Sequence, residues 1–279
     1  MSKKAKKSLS KRPLAKKGWL VSPRQIEDWL RQASNQLVEG KHNQVITTCQ
    51  RILRVAPPDA TTMRAEALQY LGAAQAMLQN YYDSYDAFTQ ALAFTPDDPR
   101  LWYNRGMTCR FVGRMGQSQR DLELALELES PDNKLAGRMA EDLKVSRDFA
   151  EQSRALRGTD FTLDQLIEQE GYFHEAMNLM ASRCWAEGEE LFRRVIAMGD
   201  CLPQPWGNLG VCLMMRERYD EAEVALRRAL ELDPEYEHAR RNLDAALETK
   251  RTGQKPVMGG ITEPFKDKKI KQAIVFEKE

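Results

Sequence analysis

Between Trp206 and Leu232 apolar residues recur at intervals of three and four, the spacing that lines one face of a helix with about 3.6 residues per turn. A short polar turn divides this stretch, so it reads as two amphipathic helices followed by Pro234. The same pair of helices is predicted at 26–59, 65–98, 99–132, 169–202 and 203–236, with Ala60 to Arg64 interrupting the period after the first. Small residues at Gly72, Gly106, Ala176 and Gly210, then at Ser84, Ser118, Gly188 and Ala222, let the two helices of a pair approach closely. Pro57, Pro96, Pro131 and Pro234 are predicted to stop the second helices, because proline lacks the N–H and clashes with the preceding turn. One pair cannot bury its own apolar face, so stability requires neighbours stacked into a solenoid.

In the last unit Trp206, Leu209, Gly210, Leu213, Ala222, Leu226, Ala229 and Pro234 stand at the signature spacing of a 34-residue repeat. Leu226 replaces a usual aromatic. Tyr172, Ala176, Leu179, Gly188, Phe192 and Val195 repeat that pattern one period earlier, with Asp200 where the closing proline is expected. Leu68, Leu71, Gly72, Phe88, Ala91 and Pro96 carry it at 65–98, and Trp102, Gly106, Leu122, Ala125 and Pro131 at 99–132. A degenerate copy has Trp29, Ala33, Gly40, Val45, Cys49, Ile52 and Pro57. These motifs resemble the tetratricopeptide repeat family. The resemblance implies an all-α fold, an α-solenoid of helix-turn-helix units forming an α-α superhelix, in a three-plus-two arrangement.

Residues 133–168 break the repeat. From Lys134 to Arg157 the only helix-disfavouring residue is Gly137, which predicts one long helix covering the face of the first array, closed near Gly158. After a turn at Thr159 to Phe161, Thr162 with Gln165 forms a capping box that opens the next helix. Residues 237–250 place Ala239, Leu243, Ala246 and Leu247 on one face and read as a capping helix, and 251–279 as a flexible tail.

The chain has 279 residues, 42% of them hydrophobic and 30% charged, enough for a substantial core. Its formal net charge of +1 conceals an uneven distribution: residues 1–25 carry nine Lys or Arg and no acid, whereas 26–250 carry 26 basic against 37 acidic residues. Residues 1–25 read as a basic disordered arm. The longest apolar run, Val211 to Met215, is far below the ~20 residues of a membrane span, so no transmembrane segment is expected. Five cysteines form no CxxC pair and point to a reducing, cytoplasmic setting.

Catalytic chemistry finds no motif. His42, His174 and His238 lie far apart, neighbouring His174 and Glu175 are expected to be solvated, and no GxGxxG, Walker or GxSxG string occurs. Cys49, Cys109 and Cys212 fit small buried hydrophobes better than nucleophiles. No enzymatic activity, cofactor or metal is expected.

The resemblance implies instead a concave groove lined by the first helix of each pair. In the first array this groove is polar (Glu66, Gln69, Ala73, Ala76) with a basic end at Arg100, Tyr103, Met107, Arg110, Lys134 and Lys144, suited to an acidic or C-terminal peptide. Asn104, Lys134 and Arg138 occupy three places of the carboxylate clamp of chaperone-binding relatives, while Gln69 and Ala73 replace its other members; a generic basic patch is the alternative. In the second array the groove is apolar, with Phe173, Met177, Met180, Gly207, Val211 and Met214. That stripe binds an apolar partner segment, or is covered by the helix opened at Thr162 or by the tail segment Ile270 to Phe276. The expected function is a non-catalytic protein-protein interaction adaptor. The alternative is a nucleic-acid- or ribosome-associated factor in which residues 3–17 contact phosphates. Neither the partner's identity nor the oligomeric state follows from the sequence.

Overall fold

The computed structural model describes residues 21–256; residues 1–20 of the basic arm and the tail segment Ile270 to Phe276 lie outside them, while Pro23 to Gln25, expected in the arm, open the first helix. Among the described residues there are twelve α-helices and no strand. Six form the first three pairs: α1 (Pro23–Val38) with α2 (His42–Val55), α3 (Thr61–Met77) with α4 (Tyr81–Leu92), and α5 (Pro99–Val112) with α6 (Met115–Leu128). The unpaired α7 (Lys134–Ala155) follows. Then come α8 (Leu163–Ala181) with α9 (Trp185–Met198), α10 (Pro203–Met215) with α11 (Tyr219–Leu232), and α12 (Glu237–Thr252).

Local chemistry sets several of these boundaries. Ser22 and Asp98 cap α1 and α5 through the amides of Gln25 and Arg100, each with proline in the first turn. Asn133 caps α7 by accepting the Leu135 amide at 3.0 Å. At α8 the capping box closes in both directions: Thr162 Oγ1 accepts from the Gln165 amide at 3.2 Å, and Gln165 Oε1 from the Thr162 amide at 2.9 Å. Glycine in the left-handed region, φ 78° at Gly113, ends α5.

Of the five residues that interrupt the period, Thr61 to Arg64 form the first turn of the 17-residue α3, and the Arg64 guanidinium donates to the carbonyls of Leu53 and Ala56 at the end of α2. Two expectations change. Pro96 does not stop α4, which ends at Leu92 and continues as a turn. The helix opened at Thr162 is not a separate cover: it runs unbroken through Ala181 and is itself the first helix of its pair.

Successive pairs share cores. Ile26, Trp29, Val45 and Ile52 are buried between α1, α2 and α3; Leu68, Phe88 and Leu101 link α3, α4 and α5; Tyr103, Leu122, Met139 and Leu143 link α5, α6 and α7. A larger core runs from Ala176 on α8 to Ala246 on α12. Between the two sets Met115, Ala150, Phe161 and Leu166 form a small cluster of their own, where α6, α7 and α8 meet. This joint is tight. A Cβ added at Gly116 would lie 2.9 Å from a side-chain carbon of Ile167 and 3.1 Å from one of Leu166.

Candidate functional site

In the first array α7 occupies the place of a further first helix, and its Asp142 faces the expected basic end. Tyr103 Oη donates to Asp142 Oδ2 at 2.7 Å, and the Arg110 guanidinium lies 3.5 Å from Asp142 Oδ1 and 5.9 Å from the Phe149 ring centroid. Arg138 approaches the same carboxylate at 3.9 Å. Tyr103 and Arg110 are buried, so Asp142 already holds the anion position that the sequence pattern left open for a ligand. Arg100 pairs with Asp98 on the surface, Lys134 and Arg138 are exposed, and Asn104 and Met107 are half-buried.

The second groove is filled by the chain itself. Met180 and Met214 are core residues, and Val211 and Met214 share their buried cluster with Ala239, Leu243 and Ala246 of α12. Tyr236 seats its ring against Gly207, where an added Cβ would lie 2.7 Å from a ring carbon. Met177 accepts a contact from Asn208 Nδ2 at 3.3 Å. Phe173 alone of this stripe reaches another space.

That space is a cavity of about 600 Å³ at the joint. The start of α4 supplies Tyr81 and Tyr82, the end of α5 Phe111, α7 Phe149, and α8 Phe173 and His174; Leu202, Pro203 and Pro205 also line it. Tyr81 and Phe111 stack with ring centroids 4.1 Å apart and planes 10° apart. Phe173 packs edge-on against His174 and Phe192. His174, expected in solvent, is therefore buried among rings, while Glu175 stays exposed.

The wall also carries polar groups, among them the buried Gln169 and Glu170 and the half-buried Ser153 and Arg157. Glu170 on α8 accepts the amides of Met115 and Gly116, the unsatisfied donors at the start of α6, at 2.8 and 3.1 Å. Burial nevertheless pushes its carboxyl from 4.5 up to about 7, against the opposing pull of those amides and of Arg157. Gln169 donates to the Val195 carbonyl at 2.9 Å and accepts from Arg157. Burial lowers the Arg157 pKa. Cys201 borders the cavity half-buried.

Burial pushes the thiols of Cys49 and Cys212 up to about 12, so they stay protonated. Among the described residues no three His, Cys, Asp or Glu side chains gather as a metal site, and no helix is long and apolar enough to cross a membrane. The cavity escapes the sequence because Tyr81, Phe111, Phe149 and Phe173 sit in four different helices, α4, α5, α7 and α8, and only their packing brings them together.

Two segments match the family model of the tetratricopeptide repeat, residues 203–236 and 99–132. No curated protein matches the chain in sequence. Among solved structures it is similar to the TPR domain of P58(IPK), with 13% identity and a TM-score of 0.43 over 81% of this chain and 66% of that one, just under two thirds. YrrB, a TPR protein with an unusual peptide-binding site, gives 17% identity and 0.34 over 82% and 96%. The TPR2AB domain of yeast Sti1, in a complex with pHSP90, gives 11% and 0.38 over 82% and 86%. At these scores the superpositions carry no argument; the two matched repeats and the stacked helix pairs around them do. The chain carries tetratricopeptide repeats at 99–132 and 203–236, set among stacked helix pairs.

Proposed function

We propose that this chain is a non-catalytic cytoplasmic adaptor, organised as a three-repeat and a two-repeat array, that holds a peptide of its partner at the joint between them. The observation that supports this reading is the cavity of about 600 Å³ with half-buried Tyr81, Phe111, Phe149 and Phe173 in its wall. A concave space with Tyr81, Tyr82, Phe111, Phe149 and Phe173 in its wall, beside polar groups that can fix orientation, suits an apolar anchor side chain, whose burial contributes roughly 1.5–3 kcal/mol. The exposed Leu156 at its edge extends the apolar surface. The rest of the peptide lies along the first array, where Arg100, Asn104, Met107, Lys134 and Arg138 offer polar and basic contacts. The five free cysteines agree with a reducing compartment.

The test is selection of a displayed random-peptide library on the full chain, followed by titration of the enriched peptides against variants. Phe111→Glu and Phe173→Glu should each weaken binding by at least tenfold, and Arg100→Glu/Lys134→Glu by less. Selected peptides that ignore both joint variants but are lost on Arg100→Glu/Lys134→Glu would move the seat to the first groove. Peptides lost only on deletion of residues 1–20 would replace the adaptor reading with one based on the basic arm.

A further inference from the structure

Arg157 follows the last turn of α7 and borders the cavity, half-buried. Its Nε donates to Gln169 Oε1 and its Nη1 to the carbonyl and hydroxyl of Ser153. The guanidinium carbon lies 5.8 Å from the Phe161 ring centroid, and among the described residues no acceptor is bonded to Nη2 and no carboxylate stands within ion-pair distance. Arg105 and Arg110 are handled differently: Asp121 grips the first through two bonds of 2.7 and 2.8 Å, and Asp142 lies against the second. The nearest acid in the cavity wall, Glu170, is already committed to the amides of Met115 and Gly116. A guanidinium taken partly out of water without an anion is costly, and a planar fork with free donors fits a carboxylate.

Resting on the joint reading above, the geometry points to a ligand in which a carboxylate sits beside an aromatic or branched apolar group: Arg157 receives the carboxylate while the Tyr81–Phe111 stack, Phe149 and Phe173 enclose the apolar part. The Gln169 and Ser153 contacts fix the guanidinium plane before the ligand arrives, so little side-chain entropy is lost on binding. This recognition stands apart from Lys134 and Arg138, which lie on the first two turns of the same helix, on the order of 30 Å away at 1.5 Å per residue.

The experiment is calorimetric titration of the full chain at pH 7.5 with three probes: the peptide acetyl-GSGSLF with a free C-terminus, the same peptide amidated, and 4-phenylbutyrate. The free-acid peptide should bind at least tenfold tighter than the amide. Arg157→Met should remove that preference while leaving the amide unchanged, and Arg157→Lys should keep part of it. If Arg157→Met fails to fold by circular dichroism, the acid-amide comparison on the native chain and on Arg157→Lys still decides. Equal binding of acid and amide, both weakened by Phe111→Ala, would overturn the role of Arg157 and leave the cavity standing. No binding of any probe, or binding indifferent to Phe111→Ala, would overturn both. Binding of 4-phenylbutyrate without the peptide would uphold carboxylate recognition and assign it to a small acid instead of a partner protein.

Discussion

The carboxylate of Glu170 on α8 accepts the amide of Met115, the first residue of α6, across 55 positions of sequence. One acid thus caps a helix of the first array from the second. Its proton is held more tightly in the folded chain, at about 7, than at the ordinary 4.5. The stabilisation this group gives is full below pH 4.5, declines as pH rises toward 7, and is lost above it. At 1.36 kcal/mol per unit the whole change is roughly 3 kcal/mol. Urea unfolding of wild type and Glu170→Gln at pH 5, 6, 7 and 8 should show the wild type losing most of that amount relative to the variant between pH 5 and 8. Parallel curves would mean the carboxyl titrates alike in both states.

Gly210 and Leu226 hold α10 and α11 in close contact: a Cβ on Gly210 would lie 2.6 Å from Leu226 Cγ. Both residues are buried. Gly210→Ala is therefore expected to cost about 1–3 kcal/mol by overpacking. Leu226→Ala alone opens a cavity and costs about 2–5 kcal/mol. The double variant should lose less than the sum, because each change supplies the space the other needs. Additive losses in thermal unfolding would show that the backbone, not this pair, absorbs the strain.

The same spacing explains what the sequence made legible. Gly72 meets Phe88, Gly106 meets Leu122 and Gly210 meets Leu226, each pair 16 positions apart, so a small residue and its large partner announce a helix pair before any coordinates exist. Thr162 and Gln165 announced a helix start for the same reason, local chemistry with a fixed spacing. Contacts between units are not written that way. Asp142 neutralising Arg110, Tyr236 filling the space over Gly207, and four rings converging on one cavity all depend on how α7, α8 and α12 pack, which no local period encodes.

The turn between the helices of a pair needs one left-handed residue, supplied by Gly40, Gln79, Gly113, Arg183 and Glu217 with φ between 61° and 78°. Side chains other than glycine pay about 1 kcal/mol there. Gly113 has no atom within 4 Å of an added Cβ, so Gly113→Ala should lower stability by about 1 kcal/mol through the backbone alone. Arg183→Gly should do the reverse, raising it by roughly 0.5 kcal/mol once the greater freedom of the unfolded glycine is subtracted. Matching urea midpoints for Gly113→Ala and wild type would show that the turn relaxes.

Asp142 decides whether the first groove offers a cation. It accepts from Tyr103 Oη at 2.7 Å and faces Arg110, whose side chain is only 7% exposed. Removing it leaves a buried hydroxyl and a buried guanidinium without that acceptor, so Asp142→Ala should cost about 2 kcal/mol. The same change releases Arg110 as an anion site. Sulfate should then raise the melting temperature of Asp142→Ala more than that of the wild type, compared at equal ionic strength with chloride, and the excess should vanish in Asp142→Ala/Arg110→Met. An equal sulfate response in all three chains would mean that Arg110 stays occupied by another group, and that Asp142 is not what keeps the groove from binding anions.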